Sequence, residues 1–204
     1  LNDAEFCVRL VEDCDIVLHL GALIAIPYSY LAPRSYVATN IGGTLNLLEA
    51  ARSRGDVRFV HTSTSEVYGS ARYVPMDEAH PLQAQSPYAA TKIGADKLVE
   101  SYVNAFGVDA VIVRPFNTYG PRQSARAVIP TVIGQVLGGT EVVKLGAVAP
   151  VRDLTYASDT VDGFITAALA ENVNGRCFNL GTGSGIAIGD LASLIIRLMG
   201  SDAR

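Results

Sequence analysis

A tyrosine and a lysine stand four residues apart in the segment Tyr88-Ala89-Ala90-Thr91-Lys92. On a helix, positions i and i+4 share one face, with about 5–6 Å between their Cβ atoms. A tyrosine hydroxyl has a reference pKa of about 10, so it is a poor base near neutral pH unless a nearby cation favours the phenolate. Lys92 can supply that cation. The same spacing also fits a surface pair, so its meaning depends on the neighbouring motifs.

Hydroxyl side chains and one carboxylate follow the apolar run 57–60, in the segment Thr62-Ser63-Thr64-Ser65-Glu66-Val67-Tyr68-Gly69. Ligands of open parallel sheets bind outside the carboxyl ends of the strands, so hydroxyls at this place would point into a site. A carboxylate among them is placed to remove a proton from a bound substrate. The alternative is a Ser/Thr-rich turn that only caps the next helix.

Two arginines lie in further polar motifs. Arg114 follows an apolar strand and opens the segment Arg114-Pro115-Phe116-Asn117, while Arg152 lies in Val151-Arg152-Asp153-Leu154-Thr155-Tyr156. An arginine can hold a diphosphate bidentately, which a lysine cannot do. The alternatives are a solvated strand end for Arg114 and a surface ion pair for Arg152 and Asp153.

Short apolar runs alternate with amphipathic stretches along the chain, which is typical of βαβ units and a parallel sheet. Strands are predicted at 15–20, 57–62 and 110–114, each followed by a helix, at 33–54, 87–106 and 128–137. The apolar runs 16–18 and 111–113 are typical of strands covered on both faces. Gly55 stands where a helix C-cap is expected. The pattern predicts an α/β fold.

Two regions are predicted. Residues 1–120 form part of a dinucleotide-binding domain. Residues 121–204 form a mixed region in which scattered glycines and prolines indicate a loop-rich substrate-binding lobe. Within it, segments near 158–180, a helix and a strand, return to the sheet, while a helix at 188–199 belongs to the lobe.

Composition limits the classes of function. The chain is 49% hydrophobic and 18% charged, with a net charge of −4. Interspersed charges of both signs leave no footprint for nucleic acid, and the absence of a long apolar run argues against membrane insertion. The three cysteines are an odd number without metal-ligand spacing, so neither disulfides nor a metal site is predicted; Cys7 and Cys14 are assigned to one helix. The expectation is a soluble, cytoplasmic protein.

The four motifs in this order resemble the extended short-chain dehydrogenase/reductases, which modify nucleotide sugars. The resemblance covers essentially the whole chain, from His19-Leu20-Gly21-Ala22 to Asn179-Leu180-Gly181-Thr182-Gly183. It implies a Rossmann-type, doubly wound parallel sheet with a smaller α/β substrate-binding lobe. It also implies a nucleotide-sugar substrate, NAD with NADP as the alternative cofactor, and a homodimer. The two subunits would meet in a four-helix bundle formed by the helices at 35–54 and 87–106.

The resemblance also assigns roles. Tyr88 is the catalytic base, Lys92 its partner, and Thr64 the hydroxyl that hydrogen-bonds the sugar, with Ser65 and Glu66 as further catalytic residues. The residues expected at the cofactor are Leu20, Gly21, Ala22, Thr62, Ser63, Tyr88, Lys92 and Pro115. Those expected at the substrate are Thr64, Asn117, Ile129, Pro130 and Arg152, the last at the diphosphate.

One departure concerns the cofactor. Members of this group open with a glycine-rich strand–turn–helix that cradles a pyrophosphate. Gly42-Gly43 falls inside a predicted helix, and Gly181-x-Gly183-x-Gly185 follows the last predicted strand with unsuitable spacing. We therefore expect the first quarter of the enzyme, and a C-terminal piece, to lie outside this sequence, and NAD is an expectation from the resemblance alone.

The type of reaction follows from Glu66 and its neighbours. Simple 4-epimerases carry a small or neutral residue there, whereas Thr64-Ser65-Glu66 resembles the 4,6-dehydratases of GDP-mannose and of UDP- or GDP-N-acetylhexosamines, and also the UDP-glucuronate decarboxylases. The dTDP-glucose 4,6-dehydratases have Asp at the place of Ser65, so Glu66 would serve here as the base and also as the acid, either directly or through Ser65 or water, with Ser65 as the alternative acid. Arg152-Asp153 favours a dehydratase over a decarboxylase.

The segments 22–30 and 122–130 resemble the N-acetylglucosamine 4,6-dehydratases. The expected reaction oxidises C4 transiently, expels water and returns the hydride to C6, which gives a 4-keto-6-deoxy sugar. The alternatives are a 4-epimerase of UDP-glucose or UDP-glucuronate, a decarboxylase, and a non-catalytic nucleotide-sugar sensor.

Overall fold

Four parallel strands form one sheet, and predicted polar motifs lie at the ends of its strands. The computed structural model describes residues 1–203. The strands lie in the order β1-β2-β3-β6, and every neighbouring pair is parallel. Their bounds are Ile16–His19 (β1), Arg58–Thr62 (β2), Ala110–Pro115 (β3) and Cys177–Leu180 (β6). The predicted α/β fold with a parallel sheet is confirmed.

Helices cover both faces of the middle strands. On one face pack α1 (Ala4–Val11), α4 (Gly43–Arg54) and α5 (Pro87–Phe106), with Leu48, Phe59 and Val99 in their core. On the other face, α7 (Ala157–Leu169) contributes Phe164 to a core with β2 and β3. Apolar burial on both faces explains why 111–113 is a continuous apolar run.

The edge strand β1 differs from that prediction. Ile16 is 36% exposed and Leu18 is 44% exposed, while His19 is buried. Within the described residues β1 therefore has one covered face, and the expectation of cover on both faces is wrong for it. An apolar run shows that burial is favourable but does not show which segment of chain provides it.

The helix α5 has the predicted bounds because its ends carry clear signals. The Ser86 hydroxyl caps the N-terminus by accepting from the Ala89 amide at 3.0 Å, and Pro87 occupies the first turn. Gly107, at φ 69°, ends the helix in the left-handed conformation that glycine adopts without strain.

The helical stretch predicted at 33–54 contains an irregularity. It consists of α3 (Pro33–Tyr36), a π-helical segment Val37–Gly42 and α4. The predicted end at Gly55 is confirmed, since its amide donates to the Ala51 carbonyl. The helix α2 (Ile26–Leu31) precedes this stretch, and a 3₁₀ turn (Ser65–Tyr68) follows β2. Apolar spacing carried no signal for the π segment.

The chain forms two compact units. The first comprises residues 1–115 and 161–180, and the second comprises 116–160 together with residues from 181 onward. The second unit holds a sheet in which β5 (Val151–Tyr156) pairs with β4 (Asn117–Tyr119) and with β7 (Gly185–Ala187). Its helices α6 (Val128–Leu137) and α8 (Ile188–Leu198) pack around Val132, Leu191 and Ile195.

Two smaller expectations need correction. Cys7 lies buried in α1, but Cys14 lies beyond the end of that helix at Val11. The three short strands of the second unit were not predicted, because elements of three to six residues leave little periodicity to read. None of the helices within residues 1–203 has the length and apolar character needed to cross a bilayer.

Candidate active site

Helix α5 places three polar side chains on one buried stripe. Tyr88, Lys92 and Asp96 follow one another at intervals of four residues and are 7%, 3% and 0% exposed. Residues at this spacing lie on the same face of a helix. Tyr88 and Lys92 therefore share one face of α5. Because both side chains are buried, the alternative of a surface pair is wrong.

Burial raises the pKa of Tyr88 to about 12, with the negative charge of Glu66 contributing in the same direction. The nearby Thr64 hydroxyl acts in the opposite direction. The positive charge of Lys92, which we expect to favour the phenolate, does not offset the effect of burial in the chain by itself. Near neutral pH the Tyr88 hydroxyl is protonated.

The Lys92 ammonium is directed toward the end of β2. It donates a hydrogen bond to the Thr62 carbonyl oxygen. Burial lowers the pKa of Lys92 to about 8, against the opposing effect of the Asp96 carboxylate. Since an ammonium group has three N–H donors and this is its one acceptor within residues 1–203, two N–H groups remain available to a hydroxyl-bearing ligand.

Glu66 lies in the 3₁₀ turn that follows β2. Thr64 caps this turn, since its hydroxyl accepts from the Glu66 amide at 3.2 Å. Thr64 is therefore a capping residue, as the alternative interpretation held. The turn that it caps also brings polar side chains to the carboxyl end of a parallel strand. Thr64, Ser65 and Glu66 are half-buried, and the Glu66 carboxylate is close enough to Tyr88 to affect its pKa.

A buried ion pair lies beneath this turn. The Arg114 guanidinium donates to Asp96 Oδ2 from Nε at 3.2 Å and from a terminal nitrogen at 2.9 Å. Ser63 Oγ donates to the same oxygen at 2.9 Å. Arg114 is 3% exposed, so both earlier interpretations of it, a solvated strand end and a diphosphate clamp, are wrong.

The same arginine continues the network toward β6. Its other terminal nitrogen donates to the Tyr68 hydroxyl at 2.9 Å, and that hydroxyl donates to Asn179 Oδ1 at 2.7 Å. The Asn179 amide groups in turn bind Glu78 Oε1 and the Met76 carbonyl, in the loop before α5. A single polar chain thus joins β3, β6 and the turn that carries Glu66.

His61 adds a neutral ring to this cluster. Its Nε2 lies 3.3 Å from Asp96 Oδ1, yet neither atom completes a hydrogen bond among the described residues. Burial lowers the pKa of His61, with the positive charge of Lys92 acting in the same direction. The ring therefore stays uncharged, and Arg114 is the cation that balances Asp96.

The segment after β1, predicted to meet the cofactor, is held by one side chain. Asn40 Oδ1 accepts from the Leu23 amide at 2.8 Å, and Asn40 Nδ2 donates to the Leu23 carbonyl at 2.9 Å. Asn40 Nδ2 also reaches Thr91 Oγ1 on α5 at 3.1 Å. Just before this segment, the buried His19 Nε2 lies 2.9 Å from Thr44 Oγ1. Between these anchors Leu20 and Gly21 are exposed, and Ala22 is half-buried.

The remaining predicted residues divide between the units. Pro115 ends β3 in the first unit and is half-buried. The predicted substrate residues Asn117, Ile129, Pro130 and Arg152 lie in the second unit, on β4, α6 and β5. In the first unit, Lys92 contacts Thr62, and Tyr88 lies near Thr64 and Glu66; Ser63 and Ser65 belong to the same segment.

Arg152 and Asp153 have separate surroundings. The exposed Arg152 donates to the Val151 carbonyl at 2.9 Å. The Asp153 carboxylate accepts from the Thr182 amide at 3.0 Å and from the Gly183 amide at 2.8 Å. Asp153 therefore fixes the turn after β6, so the surface-pair interpretation of these two residues is wrong and the Arg152 side chain remains available.

Sequence reasoning missed Asp96, Tyr68 and Asn40. Asp96 continues the four-residue stripe of Tyr88 and Lys92, so extending that spacing by one step would have found it. Tyr68 and Asn40 carry no comparable signal, because their partners are distant in sequence. Across residues 1–203, His, Cys, Asp and Glu side chains form no group of three or more that could hold a metal ion.

Comparison with known proteins gives the family of the chain. The family described as GDP-mannose 4,6 dehydratase matches residues 1–203. A dTDP-glucose 4,6-dehydratase from an Actinoplanes strain is 36% identical over 189 residues, which cover 93% of this chain and 59% of that protein. The chain thus spans about three fifths of the length of such relatives.

Solved structures show the same fold in enzymes of two kinds. The dTDP-glucose 4,6-dehydratase DesIV from Streptomyces venezuelae, solved with NAD bound, superimposes with a TM-score of 0.89 at 32% identity; the match covers 98% of this chain and 62% of that one. A UDP-N-acetylglucosamine 4-epimerase from Methanobrevibacter ruminantium gives 0.89 at 31% identity, covering 96% and 64%.

These matches show that the parallel α/β sheet is of the Rossmann type, as predicted. Within that class, the chain belongs to the extended short-chain dehydrogenase/reductase family of nucleotide-sugar dehydratases and epimerases.

Proposed function

We propose that the protein is an NAD-dependent nucleotide-sugar 4,6-dehydratase. The observation that carries the proposal is the position of Glu66. Glu66 lies in the turn after β2, and its carboxylate is near enough to Tyr88 for its charge to raise the pKa of that hydroxyl, so it supplies a second proton-transfer group at the same strand end. An epimerase needs one group to exchange the proton of the 4-hydroxyl, whereas a dehydratase also needs a base for the C5 hydrogen.

The residues at the carboxyl ends of β1 and β2 fit a dinucleotide. Lys92 is buried with two N–H donors unused, and Thr62 Oγ1 is buried without a partner within residues 1–203. Such unsatisfied polar groups are costly unless a polar ligand completes their hydrogen bonds. Ribose hydroxyls suit Lys92, and Leu20, Gly21 and Ala22 would lie along the cofactor. NAD, when bound, would accept a hydride from the sugar and return it.

The side chains of the chain then divide the proton transfers. Tyr88 would take the proton of the sugar 4-hydroxyl, for which its pKa of about 12 must fall when positive charge is brought close to it. The Lys92 ammonium, protonated at neutral pH with a pKa of about 8, is the resident source of such charge. Thr64 would hydrogen-bond the sugar, and Glu66 would remove the C5 proton and then help the 6-hydroxyl to leave.

For the substrate, we propose a UDP- or GDP-linked N-acetylhexosamine. Ser65 stands where the dTDP-glucose 4,6-dehydratases have Asp, so the chain departs from those enzymes at the residue beside Glu66. The UDP-N-acetylglucosamine epimerase among the structural neighbours shows that this fold accommodates an N-acetylated sugar. Asn117, Ile129 and Pro130 would line the sugar-nucleotide, with Arg152 at its diphosphate. The homodimer through helices 35–54 and 87–106 remains a prediction from the resemblance.

A 4-epimerase is the second candidate, favoured by epimerases among the structural neighbours. Glu66→Gln in the full-length protein distinguishes the two. The amide keeps the side-chain shape but cannot accept the C5 proton, so a dehydratase should form reduced cofactor and a 4-keto sugar that retains its 6-hydroxyl. It should also lose exchange of the C5 hydrogen with deuterated water, measured by mass spectrometry.

Glu171→Gln is the matched control, because Glu171 is exposed after the end of α7 and lies outside the helices of the proposed dimer. This control should keep wild-type turnover. If Glu66→Gln also keeps full turnover and yields an epimerised product that has not lost water, the dehydratase proposal is wrong and the epimerase takes its place.

A further inference from the structure

The turn that carries Glu66 is fastened on both sides to one carboxylate. On its N-terminal side, Ser63 Oγ donates directly to Asp96 Oδ2 at 2.9 Å. On its C-terminal side, Tyr68 is tied to the same oxygen through the Arg114 guanidinium. Asp96 lies on α5, the helix that also carries Tyr88. The helix that carries Tyr88 and the turn that carries Glu66 are thus both connected to Asp96.

The Tyr68 side chain is completely buried, and its environment fixes both its ring and its hydroxyl. The Arg114 guanidinium carbon lies 5.1 Å from the ring centroid, and the His80 ring packs edge-on at 5.4 Å. The hydroxyl accepts from Arg114 and donates to Asn179, so both of its hydrogen-bonding functions are used. Charge-assisted hydrogen bonds in a buried site are the strong ones, and they restrict orientation as well as adding energy.

We infer that Tyr68 is a positioning residue: its hydroxyl, held between Arg114 and Asn179, fixes the Ser65–Tyr68 turn so that the Glu66 carboxylate stays aligned with the reacting sugar. This inference rests on the proposed dehydratase function. The Tyr68 side chain is 0% exposed, so it acts from within the core. Its effect reaches Glu66 through the backbone of one tight turn, where the two residues are separated by a single position.

Selectivity between the two half-reactions follows from this geometry. Tyr88 is held by α5, which also packs through the apolar core that contains Phe59 and Val99, whereas Glu66 depends on the turn. Loosening the turn should therefore impair the removal of the C5 proton and leave the oxidation at C4 nearly unchanged. A general loss of structure would instead impair both half-reactions by the same factor.

Tyr68→Phe in the full-length protein tests this, because it removes the hydroxyl and keeps the ring. Incorporation of solvent deuterium at C5 and formation of the dehydrated product should fall about 10- to 100-fold, as expected for losing a hydrogen bond to a charged group. Formation of reduced cofactor in a single turnover should stay within about threefold of wild type, and KM should not change. Amide hydrogen exchange should accelerate at residues 65–69 and not along α5.

Tyr73→Phe is the matched control, since Tyr73 lies in the same part of the chain, and its hydroxyl donates to the exposed Asp77 at 2.7 Å. It should leave both half-reactions unchanged. Should Tyr68→Phe fail to fold, Asn179→Ala removes the acceptor of the Tyr68 hydroxyl while the bond from Arg114 persists, and it should shift the half-reactions in the same direction by a smaller factor.

Equal losses in the two half-reactions, or no loss in either, would overturn the inference. Failure of the proposed function has a different signature, since the wild-type protein would then form no dehydrated sugar. In that case the amide exchange of residues 65–69 still decides whether Tyr68 holds the turn, and unchanged exchange in Tyr68→Phe would overturn the inference.

Discussion

Tyr88 and Arg152, the residues to which we assign proton transfer and diphosphate binding, are held in very different ways. Tyr88 lies in the core of the first unit, on a 20-residue helix whose next two turns carry Lys92 and Asp96 in the buried stripe. Arg152 lies on a strand of the second unit with an exposed side chain, whose one hydrogen bond within residues 1–203 is to the neighbouring Val151 carbonyl. Groups that transfer protons need fixed geometry, whereas a group that captures a mobile anion can be ordered by the anion itself.

The sharpest way to break this comparison is Tyr88→Phe. The substitution deletes the hydroxyl and leaves the ring that packs edge-on against Tyr36 at 6.4 Å, so the pocket keeps its shape. Losing general acid–base assistance costs about 10²–10⁴-fold, and turnover should fall by that factor with substrate affinity nearly unchanged. Steady-state kinetics and a binding titration of the full-length enzyme measure both. A variant that retained more than about a tenth of wild-type turnover would remove Tyr88 from the reaction.

The next effect concerns what it costs to keep Lys92 buried. Its folded pKa of about 8 lies below the reference value of 10.5, so between these pH values the unfolded chain binds more protons than the folded one. Stability should therefore rise with pH across this window. A shift of this size corresponds to about 3 kcal/mol between pH 7 and pH 10.5.

Urea denaturation of wild type and Lys92→Met at the two pH values isolates this contribution. Tyrosines also titrate at high pH, but they do so in both proteins and cancel in the difference. The wild type should gain about 3 kcal/mol relative to the variant as pH rises. If the difference in unfolding free energy between the two proteins did not change with pH, Lys92 would have an ordinary pKa. Burial would then not distinguish the charges of the buried site residues from those of the exposed ones.

The smallest effect is expected at Arg152. Arg152→Ala should raise KM for the nucleotide sugar about 10- to 100-fold, the cost of losing hydrogen bonds between charged groups. It should leave kcat within about threefold, and the free energy of unfolding within about 0.5 kcal/mol, because the side chain is exposed. Arg197→Ala, at an exposed position of α8, removes the same charge from the same unit and should change none of these. A fall in kcat with unchanged KM at Arg152 would show that it acts on the reaction itself.

Local signals explain which parts of the fold were predictable. The bounds of α5 and α6 match the prediction, since Ser86 and Pro87 mark the start of α5 and the segment 128–137 is predominantly apolar. The strands β4 and β7 have three residues each, too few for an alternating pattern to register. The π-helical segment was also missed, because it differs from an α-helix in hydrogen bonding and not in the spacing of apolar residues.

The candidate site also contains parts that could be predicted from the sequence and parts that could not. Tyr88 and Lys92 could be paired from spacing alone, because a helix fixes the distance between such positions. Arg114 was misread because its partner Asp96 lies 18 residues earlier and on another element, so a strand-end arginine looked free to bind an anion. The raised pKa of Tyr88 could not be read from the spacing either, since it results from burial and burial is a property of the folded chain.

The amide of Asn40 gives the segment after β1 the two main-chain hydrogen bonds that a neighbouring strand would have provided. Because one side chain satisfies both main-chain groups of Leu23, this residue depends on Asn40 and not on a neighbouring strand. The same amide reaches Thr91, so the segment after β1 and helix α5 share a single point of attachment. A substitution at Asn40 would release both at once, and a residue distant in sequence therefore controls the segment after β1 without belonging to it.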